Sequence, residues 1–255
     1  MITGAGHCFE VDLLVVGGGM AGMTAAAYAA EHGRSVLVVE KQSEIGGSAR
    51  LSGGGFWSAE DYQTLRAVNP LGEAALARAL IAGYDAAADF ISSLGADISA
   101  REPYLGTQSL SAVMRHLNVA DYMARARSCV QSNGGWVVAK YTVTALVEGD
   151  QRVAGGLVSG PGGEVEVRAR WNLLATGGFQ NDPALRARYL NANAATMAEC
   201  SNFASDGQGL RLGESVGAAL SAHMSAWYGH TIPHPVSLPL VPAEPRVPPA
   251  TRSSA

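Results

Sequence analysis

The first fifty residues alternate between apolar runs and a stretch of small side chains. Residues 11–16 are apolar except for Asp12, residues 20–32 are mostly Ala, Met and Tyr, and residues 35–39 are apolar after Ser35. Short apolar runs are typical of strands buried on both faces, and the longer stretch between them is typical of a crossover helix that ends at Gly33. The pattern therefore predicts a strand, a helix and a second, parallel strand.

Beyond residue 57 the apolar residues recur at three- and four-residue steps. This spacing predicts helices over residues 71–94 and 111–132 that pack on the sheet, with Gly95 and Asn133 at their ends. The intervening residues 96–109, like residues 41–57, show no regular period. We expect both of these stretches to be loops.

From residue 136 the pattern changes to strand-like alternation. Residues 136–139, 142–148, 152–159 and 164–169 predict strands, of which the last three are separated by Gly-containing turns, and residues 171–175 predict a further strand that is apolar except for Asn172. Short helices are expected over 182–190 and 207–216. We therefore predict an α/β fold, in which helices cover one side of a parallel sheet and a three-stranded antiparallel β-meander over 141–169 covers the other.

Composition narrows the classes of function. The chain has 255 residues, of which 47% are hydrophobic and 16% charged, so it can bury a substantial core. A net charge of −4 without a basic block argues against a nucleic-acid partner. The chain has no apolar run of about 20 residues and no basic, apolar leader, so neither a membrane span nor a secretory signal is expected. These features favour a cytoplasmic protein.

Cysteine, histidine and proline usage adds three expectations. Cys8, Cys129 and Cys200 are scattered, which favours free structural thiols. His223, His230 and nearby aromatic residues lie too irregularly to predict a metal site, so none is expected. Residues 233–255 hold most of the 11 prolines and predict an extended or disordered tail. The predicted organisation is a lead-in over 1–9, a domain over 10–232 and this tail.

A glycine turn follows the first predicted strand. Gly17, Gly19 and Gly22 match the spacing in which the glycines allow a tight turn, close approach of a pyrophosphate and close helix packing. Glu40 ends the second strand, where a carboxylate accepts hydrogen bonds from ribose hydroxyls and disfavours a 2′-phosphate. This arrangement predicts an adenine-dinucleotide site. An α/β turn without a ligand and an NAD-dependent dehydrogenase remain alternatives.

The stretch after Glu40 is unusual for a nicotinamide-binding unit. Residues 41–55 form a long loop of small and hydroxyl-bearing residues that includes Gly47, Ser48 and Ser52. Such a loop can place backbone amides and hydroxyl groups along a larger cofactor. A surface glycine loop is the structural alternative.

These segments together resemble a known flavoprotein family. The sequence VVGGGMAGMTAAAYAAEHGRSVLVVEKQSEIGGSARLSGGG resembles the N-terminal FAD fingerprint of the fumarate reductase and succinate dehydrogenase flavoproteins, which include the 3-ketosteroid dehydrogenases. Residues 140–148, the segment LLATGGF at 173–179 and the segment DGQG at 206–209 resemble three later motifs of that family in the same order.

The resemblance implies a Rossmann-like FAD-binding fold and FAD held non-covalently, since Ser48 stands where some membrane-bound members carry a flavin-linking His. In the family's pattern Val143 would meet the adenine, and Thr176 would approach the cofactor from a strand end. The cofactor-binding residues implied are Gly17, Gly19, Met20, Ala21, Gly22, Glu40, Lys41, Gly47, Ser48, Ala49, Ser52, Gly53, Gly54, Val143, Thr176, Gly177, Gly178, Asp206 and Gly207.

The resemblance also implies an activity. Members are FAD-dependent oxidoreductases that act on C–C bonds next to a carbonyl of a small-molecule substrate, as in steroid or dicarboxylate dehydrogenases and reductases. They are typically about twice this length and carry a cap domain and a second glycine-rich flavin segment further along the chain. We therefore expect an N-terminal FAD-binding portion whose catalytic residues are not identified. The alternatives are a non-catalytic flavin-binding remnant and half of a split enzyme whose partner chain supplies the cap.

Overall fold

The computed structural model describes residues 8–104, 112–222 and 224–225. It contains nine strands, six α-helices and two 3₁₀ helices in these ranges. The strands are β1 Phe9–Val16, β2 Val36–Glu40, β3 Gly55–Ala59, β4 Glu102–Tyr104, β5 Ala112–His116, β6 Trp136–Ala139, β7 Thr142–Gly149, β8 Arg152–Gly160 and β9 Gly163–Leu174. The α-helices are α1 Met20–Glu31, α2 Tyr62–Val68, α3 Ala74–Ser93, α4 Val119–Ser132, α5 Pro183–Tyr189 and α6 Gln208–Ser215. The 3₁₀ helices are Gly47–Leu51 and Ala192–Thr196.

Six strands form the main sheet in the order β6-β2-β1-β9-β8-β7. The first four strands are mutually parallel, and β7, β8 and β9 form the antiparallel meander. The predicted α/β class, with its parallel sheet and meander, is therefore confirmed. The separate strand predicted over 171–175 is wrong, because β9 runs unbroken to Leu174 and pairs with both β8 and β1.

The two faces of the sheet bury separate apolar clusters. Side chains alternate along β1, so Val15 packs with the Ala-rich face of α1 and with α4, whereas Leu14 and Val16 pack with Val143 and Val158 of the meander. Leu14, Val15 and the α1 residues Ala26, Ala27 and Ala30 are all fully buried. Full burial of an aliphatic side chain such as Leu14 stabilises the fold by about 1.5–3 kcal/mol.

A second, three-stranded sheet has the order β3-β5-β4. It corrects three predictions. Residues 41–57 contain a 3₁₀ helix and the start of β3, residues 96–109 contain β4, and the helix predicted over 111–132 is a strand followed by a helix. The apolar residues at four-residue steps suggested one helix, but Asn118 caps α4 by accepting a hydrogen bond from Asp121 N. This cap fixes the start of the helix at residue 119.

The helix predicted over 71–94 is present but shorter. α3 begins at residue 74, and the separate helix α2 precedes it. The Tyr84 side chain of α3 stacks on Phe56 of β3 and donates a hydrogen bond to the Phe56 carbonyl oxygen over 2.8 Å. The C-terminal part of α3 reaches the main core through Ile91. No α-helix in the described ranges is long and apolar enough to cross a bilayer.

The predicted tail and residues 1–7 of the lead-in lie outside the described residues, as do His223 and His230. β1 begins at Phe9, within the predicted lead-in.

Because β1, β2 and β9 are parallel, their carboxyl ends meet at one edge of the sheet, next to the start of β7. Ligands of open α/β sheets bind outside this edge.

Candidate cofactor site

The glycine turn leaves β1 in the predicted way. Gly17 has φ +105°, and a Cβ atom there would lie 2.5 Å from the Ala175 carbonyl oxygen. Its N–H group donates to the Val39 carbonyl oxygen over 2.8 Å. Only glycine fits this left-handed, crowded position. The turn can therefore pass between the ends of β2 and β9 and direct the chain into α1.

The N-terminus of α1 has the properties of an anion site. Gly19 is the N-cap residue, so no side chain caps the helix, and the first turn holds no acidic residue. A Cβ on Gly19 would meet no protein atom within 4 Å. The first N–H groups of a helix have no intrahelical acceptor and lie at its positive end. Open space here matches the needs of a pyrophosphate.

Gly22 has a different role within the same motif. A Cβ at this position would overlap the Gly17 carbonyl oxygen and lie 3.0 Å from Val15 Cγ1. Gly22 therefore lets α1 pack closely against β1 and the turn. It is not among the residues that line the cleft described below.

Glu40 is buried at the end of β2 and contacts the glycine turn. Its Oε2 atom accepts a hydrogen bond from Gly18 N and its Oε1 atom accepts one from Gln42 N, each over 2.7 Å. A carboxylate has about four acceptor positions, so both oxygens can accept further bonds. Glu40 thus orders the turn and still faces the cleft where a ribose is expected.

The loop after Glu40 returns to the turn. Gly46 N donates to the Gly18 carbonyl oxygen over 2.7 Å, which brings Gly47, Ser48 and Ala49 to the wall of the cleft. The predicted residues Ser52, Gly53 and Gly54 are not among the lining residues. Gly54 instead has φ +75° and packs against the Leu117 carbonyl oxygen, where a Cβ would overlap.

The opposite wall comes from the end of β9 and the residues before α6. Thr176 and Gly177 line the cleft, whereas Gly178 does not. Asp206 and Gly207 are not lining residues themselves, but they stand in the chain between the lining residues Ser205 and Gln208, with Gly207 as the N-cap of α6 at φ +77°. The side chain of the next residue, Gln208, reaches into the cleft.

An ion pair joins the two walls. Lys41 Nζ lies 2.8 Å from Asp206 Oδ1, which also accepts a hydrogen bond from Gln208 N. Burial alone would raise the pKa of the Asp206 carboxyl, but the hydrogen bond and charge of Lys41 lower it below its usual value. Asp206 is therefore ionised at neutral pH and holds the start of α6 near the end of β2.

Together these elements form one cleft of about 250 Å³. Twelve of the predicted residues line it: Gly17, Gly19, Met20, Ala21, Glu40, Lys41, Gly47, Ser48, Ala49, Val143, Thr176 and Gly177. The remaining seven are not among its lining residues: Gly22, Ser52, Gly53, Gly54, Gly178, Asp206 and Gly207.

Several lining residues were missed by the sequence reasoning. Asn202 and Ser205 are buried polar residues, and Asn202 Nδ2 contacts Gln42 Oε1 at 3.4 Å across the cleft. Gln208 Nε2 donates to the Val143 carbonyl oxygen over 2.9 Å. The position of Gln208 directly after Asp206 and Gly207 was the only available signal. The full set of missed residues is Val16, Val39, Gln42, Tyr141, Thr142, Ala175, Asn202, Ala204, Ser205 and Gln208.

Comparison with known families identifies the domain that contains this cleft. The family model described as "FAD binding domain" matches residues 12–241. The chain belongs to this family. The recognition made from the sequence is thereby confirmed, and FAD is the cofactor. All of the residues that line the cleft fall within the matched range.

Curated relatives are flavoenzymes of the resembled group. The chain is 25% identical to 3-oxosteroid 1-dehydrogenase from Mycolicibacterium smegmatis, over 88% of this chain and 56% of the relative. It is 28% identical to fumarate reductase (cytochrome) from Shewanella frigidimarina, over 82% of this chain and 40% of the relative. The chain thus spans about half the length of the curated relatives that it matches.

Solved structures support the fold. A 3-ketosteroid-Δ4-(5α)-dehydrogenase from Rhodococcus jostii superposes with a TM-score of 0.74 at 20% identity, covering 87% of this chain and 57% of that chain. A flavocytochrome c3 fumarate reductase gives a TM-score of 0.66 at 22% identity, covering 84% of this chain and 42% of that chain. At these identities the likeness establishes the architecture alone.

Proposed function

We propose that this chain holds FAD for an oxidoreductase that acts on a C–C bond next to a carbonyl, in a steroid, a dicarboxylate or another small activated substrate. The observation that carries the proposal is the cleft, in which an uncapped helix N-terminus, a strand-end carboxylate and a small-residue loop face one volume. The names of the relatives, a 3-oxosteroid dehydrogenase and a fumarate reductase, supply the reaction class.

The residues present fit the cofactor. The open space over Gly19 and the free first turn of α1 suit the pyrophosphate, and Glu40 keeps acceptor positions for ribose hydroxyls. Ser48, Ala49, Thr176 and Gly177 continue the cleft past the turn with side chains small enough for a bulky ring. We assign them to the flavin half of the site.

FAD supplies the redox chemistry when it is bound, by exchanging a hydride with a substrate carbon. The residues of this chain bind and orient the cofactor. The lining residues of the described part include no His or Cys to form a link to the flavin, so we propose non-covalent binding. Acid precipitation of the loaded protein should then release all of the flavin into the supernatant.

The cofactor assignment is tested by loading the purified chain with FAD and desalting it. We expect flavin absorbance to remain with the protein at close to one equivalent, and the variant Gly19→Ala to retain much less. The control Gly83→Ala, at an exposed position in α3 with open space around it, should load like the wild type. Loss of all flavin from the folded wild type on desalting would contradict the proposal.

A second candidate follows from the coverage of the relatives. The chain corresponds to 56% of the dehydrogenase and 40% of the fumarate reductase. It can therefore act as a flavin-holding unit that needs substrate-binding groups from further polypeptide, in the same protein or in a partner chain. Turnover of 3-oxosteroids or dicarboxylates with an artificial electron acceptor by the loaded chain alone would exclude this candidate. Flavin retention without turnover would support it.

A further inference from the structure

The wall of the cleft that precedes α6 contains no helix or strand. This wall segment, residues 197–207, follows the second 3₁₀ helix and includes the buried lining residues Asn202 and Ser205. Its large apolar side chains, Met197 and Phe203, are 49% and 76% exposed. Apolar burial is the main force that holds a segment in place, and here it contributes little. Polar contacts must therefore position the wall segment.

Hydrogen bonds within the segment shape the turn that carries the two buried polar residues. Asn202 Oδ1 accepts a hydrogen bond from Ala204 N over 3.0 Å, and the Asn202 carbonyl oxygen accepts one from Ser205 N over 2.9 Å. The Ser205 carbonyl oxygen accepts a further bond from Asn181 N over 2.9 Å. Residues 197–201, which lead into this turn, are all exposed or half-buried and take no part in these bonds. Their position needs a separate anchor.

A buried arginine of α5 contacts the stretch that leads into the turn. The Arg186 side chain is only 9% exposed. Its Nη2 atom donates a hydrogen bond to the Ala195 carbonyl oxygen over 3.2 Å, and its Nη1 atom lies 3.7 Å from Glu199 Oε2. The other carboxylate oxygen of Glu199 accepts a hydrogen bond from Ser201 N over 2.9 Å. Arg186 is thus linked through Glu199 to the residue that precedes Asn202.

The charge of Arg186 makes this link strong. Its Nε and Nη1 atoms are buried and meet no hydrogen-bond acceptor among the described residues. A guanidinium stays charged in a protein, and a buried charge that loses its partner is strongly destabilising. Among the ion pairs of the described residues, Glu199 is the one partner of Arg186. The pair therefore ties the wall segment to α5.

We propose that Arg186, paired with Glu199, is a positioning residue that holds Asn202 and the turn to Ser205 where they face the cofactor. Neither Arg186 nor Glu199 lines the cleft, so their effect reaches the ligand only through the wall segment. This inference rests on the proposed function, since it requires FAD in the cleft. A binding site needs residues behind it that fix the groups in contact with the ligand. Loss of the pair should weaken FAD binding although no group that contacts FAD is removed.

The test replaces Glu199 by glutamine. Glutamine keeps the size of the side chain and an oxygen that can accept from Ser201 N, so the change removes only the charge that faces Arg186. Affinity is measured by titrating FAD into the folded apoprotein and following flavin fluorescence. We expect Glu199→Gln to bind FAD about fivefold or more weakly than the wild type, as coupling between two sites commonly gives.

Glu214→Gln is the matched control. Glu214 lies 3.6 Å from Arg188 of α5 and is 30% exposed, compared with 28% for Glu199. It belongs to α6, where the backbone hydrogen bonds of the helix hold it in position. Loss of this half-exposed charge should change FAD affinity by less than about twofold.

A double-variant cycle separates positioning from a general loss of stability. Asn202→Ala removes the side chain through which the pair is proposed to act and frees the turn to Ser205. Effects that share a path are not additive, so Glu199→Gln should weaken FAD binding by less than about twofold in the Asn202→Ala background. Arg186→Lys keeps the charge but lacks the planar fork, and it should also weaken FAD binding even if Glu199→Gln does not fold.

The outcomes separate the two levels of the argument. If the folded wild type binds no FAD, the proposed function fails and this inference falls with it. If the wild type binds FAD and folded Glu199→Gln or Arg186→Lys binds it equally well, the role of the pair is overturned while FAD binding stands. Equal losses in Glu199→Gln and Glu214→Gln, or a full loss that persists in the Asn202→Ala background, would also overturn it.

Discussion

The two glycine-rich stretches beside the cleft, residues 17–22 and residues 46–55, look alike in sequence and differ in structure. In the first stretch, a Cβ atom on Gly17 or Gly22 would clash with backbone atoms, whereas a Cβ atom on Gly19 would meet no protein atom within 4 Å. In the second, Gly54 is hemmed in by the Leu117 carbonyl, while Gly53 has open space and does not line the cleft. A glycine at which a Cβ atom would clash with backbone atoms therefore serves the protein's own packing. A glycine with open space is expected to serve the ligand only where it also lines the cleft, as Gly19 does.

The largest loss of stability is expected at Gly22, where backbone atoms lie close to the position of an added side chain. In Gly22→Ala the new Cβ overlaps the Gly17 carbonyl oxygen, and neither α1 nor the turn can move without disturbing the core. Overpacking of this kind costs about 3 kcal/mol of the free energy of unfolding. Urea denaturation should show a lower midpoint and a loss of FAD loading together.

Gly83→Ala provides the matched control for this change. Position 83 lies inside α3 with no atom near the new Cβ, so the substitution should stabilise the protein by about 0.5–1 kcal/mol through helix propensity. An unchanged unfolding midpoint in Gly22→Ala would show that the packing of α1 adjusts and that the distinction between packing and ligand glycines does not hold here.

Gly54→Ala should cause the next largest loss in the free energy of unfolding. Its φ of +75° disfavours a side chain by about 1–2 kcal/mol, and overlap with the Leu117 carbonyl adds to this cost. We expect about 2 kcal/mol of destabilisation by urea denaturation. FAD affinity, measured where the variant is folded, should change little because Gly54 does not line the cleft. A tenfold loss of affinity in the folded variant would instead link residue 54 to the ligand.

Gly19→Ala should have the opposite result, with a small change in stability and a large loss of FAD affinity. Its φ of −75° suits alanine, and no protein atom lies near the added methyl group. The cost in stability should stay below about 1 kcal/mol, as for a change at an N-cap. FAD affinity should fall at least about tenfold, because the methyl group occupies space that the pyrophosphate needs. Titration of flavin fluorescence measures the affinity, and unchanged binding would contradict the assignment of Gly19 to the ligand.

How far the sequence could predict these features depended on whether the signal was local. The strand, turn and helix from β1 to β2 follow from consecutive apolar runs and from glycines at fixed spacing. The strand β3 was missed because its partner β5 lies more than fifty residues away and had itself been taken for part of a helix. Strand pairing over such a distance leaves no mark in a short window of sequence.

The same distinction holds within the site. Glu40 was found because its position is fixed relative to the glycine turn. Asn202 and Gln208 reach the cleft through contacts with Gln42 and Val143, which are 160 and 65 residues away in the chain. No periodicity indicates such contacts. The DGQG resemblance pointed to Asp206 and Gly207, which are not among the lining residues, and only the fold shows that the next residue, Gln208, lines the cleft.

The smallest effect is expected at the ion pair that joins the walls. The lowered pKa of Asp206 means that its ionised form stabilises the fold fully above the unfolded value of about 3.9 and that this contribution is lost as the pH falls through the folded value. Because the Asp206 side chain is 48% exposed, the contribution should be below about 1 kcal/mol.

Asp206→Asn should lower the free energy of unfolding at pH 7 by this amount. The difference from wild type should vanish below the folded pKa. The double variant with Lys41→Met should cost no more than Asp206→Asn alone if the pair acts as one unit. A difference between wild type and Asp206→Asn that persisted unchanged at low pH would mean that the carboxylate's charge does not tie α6 to the end of β2, and that the shape of the turn before α6 holds this wall of the cleft by itself.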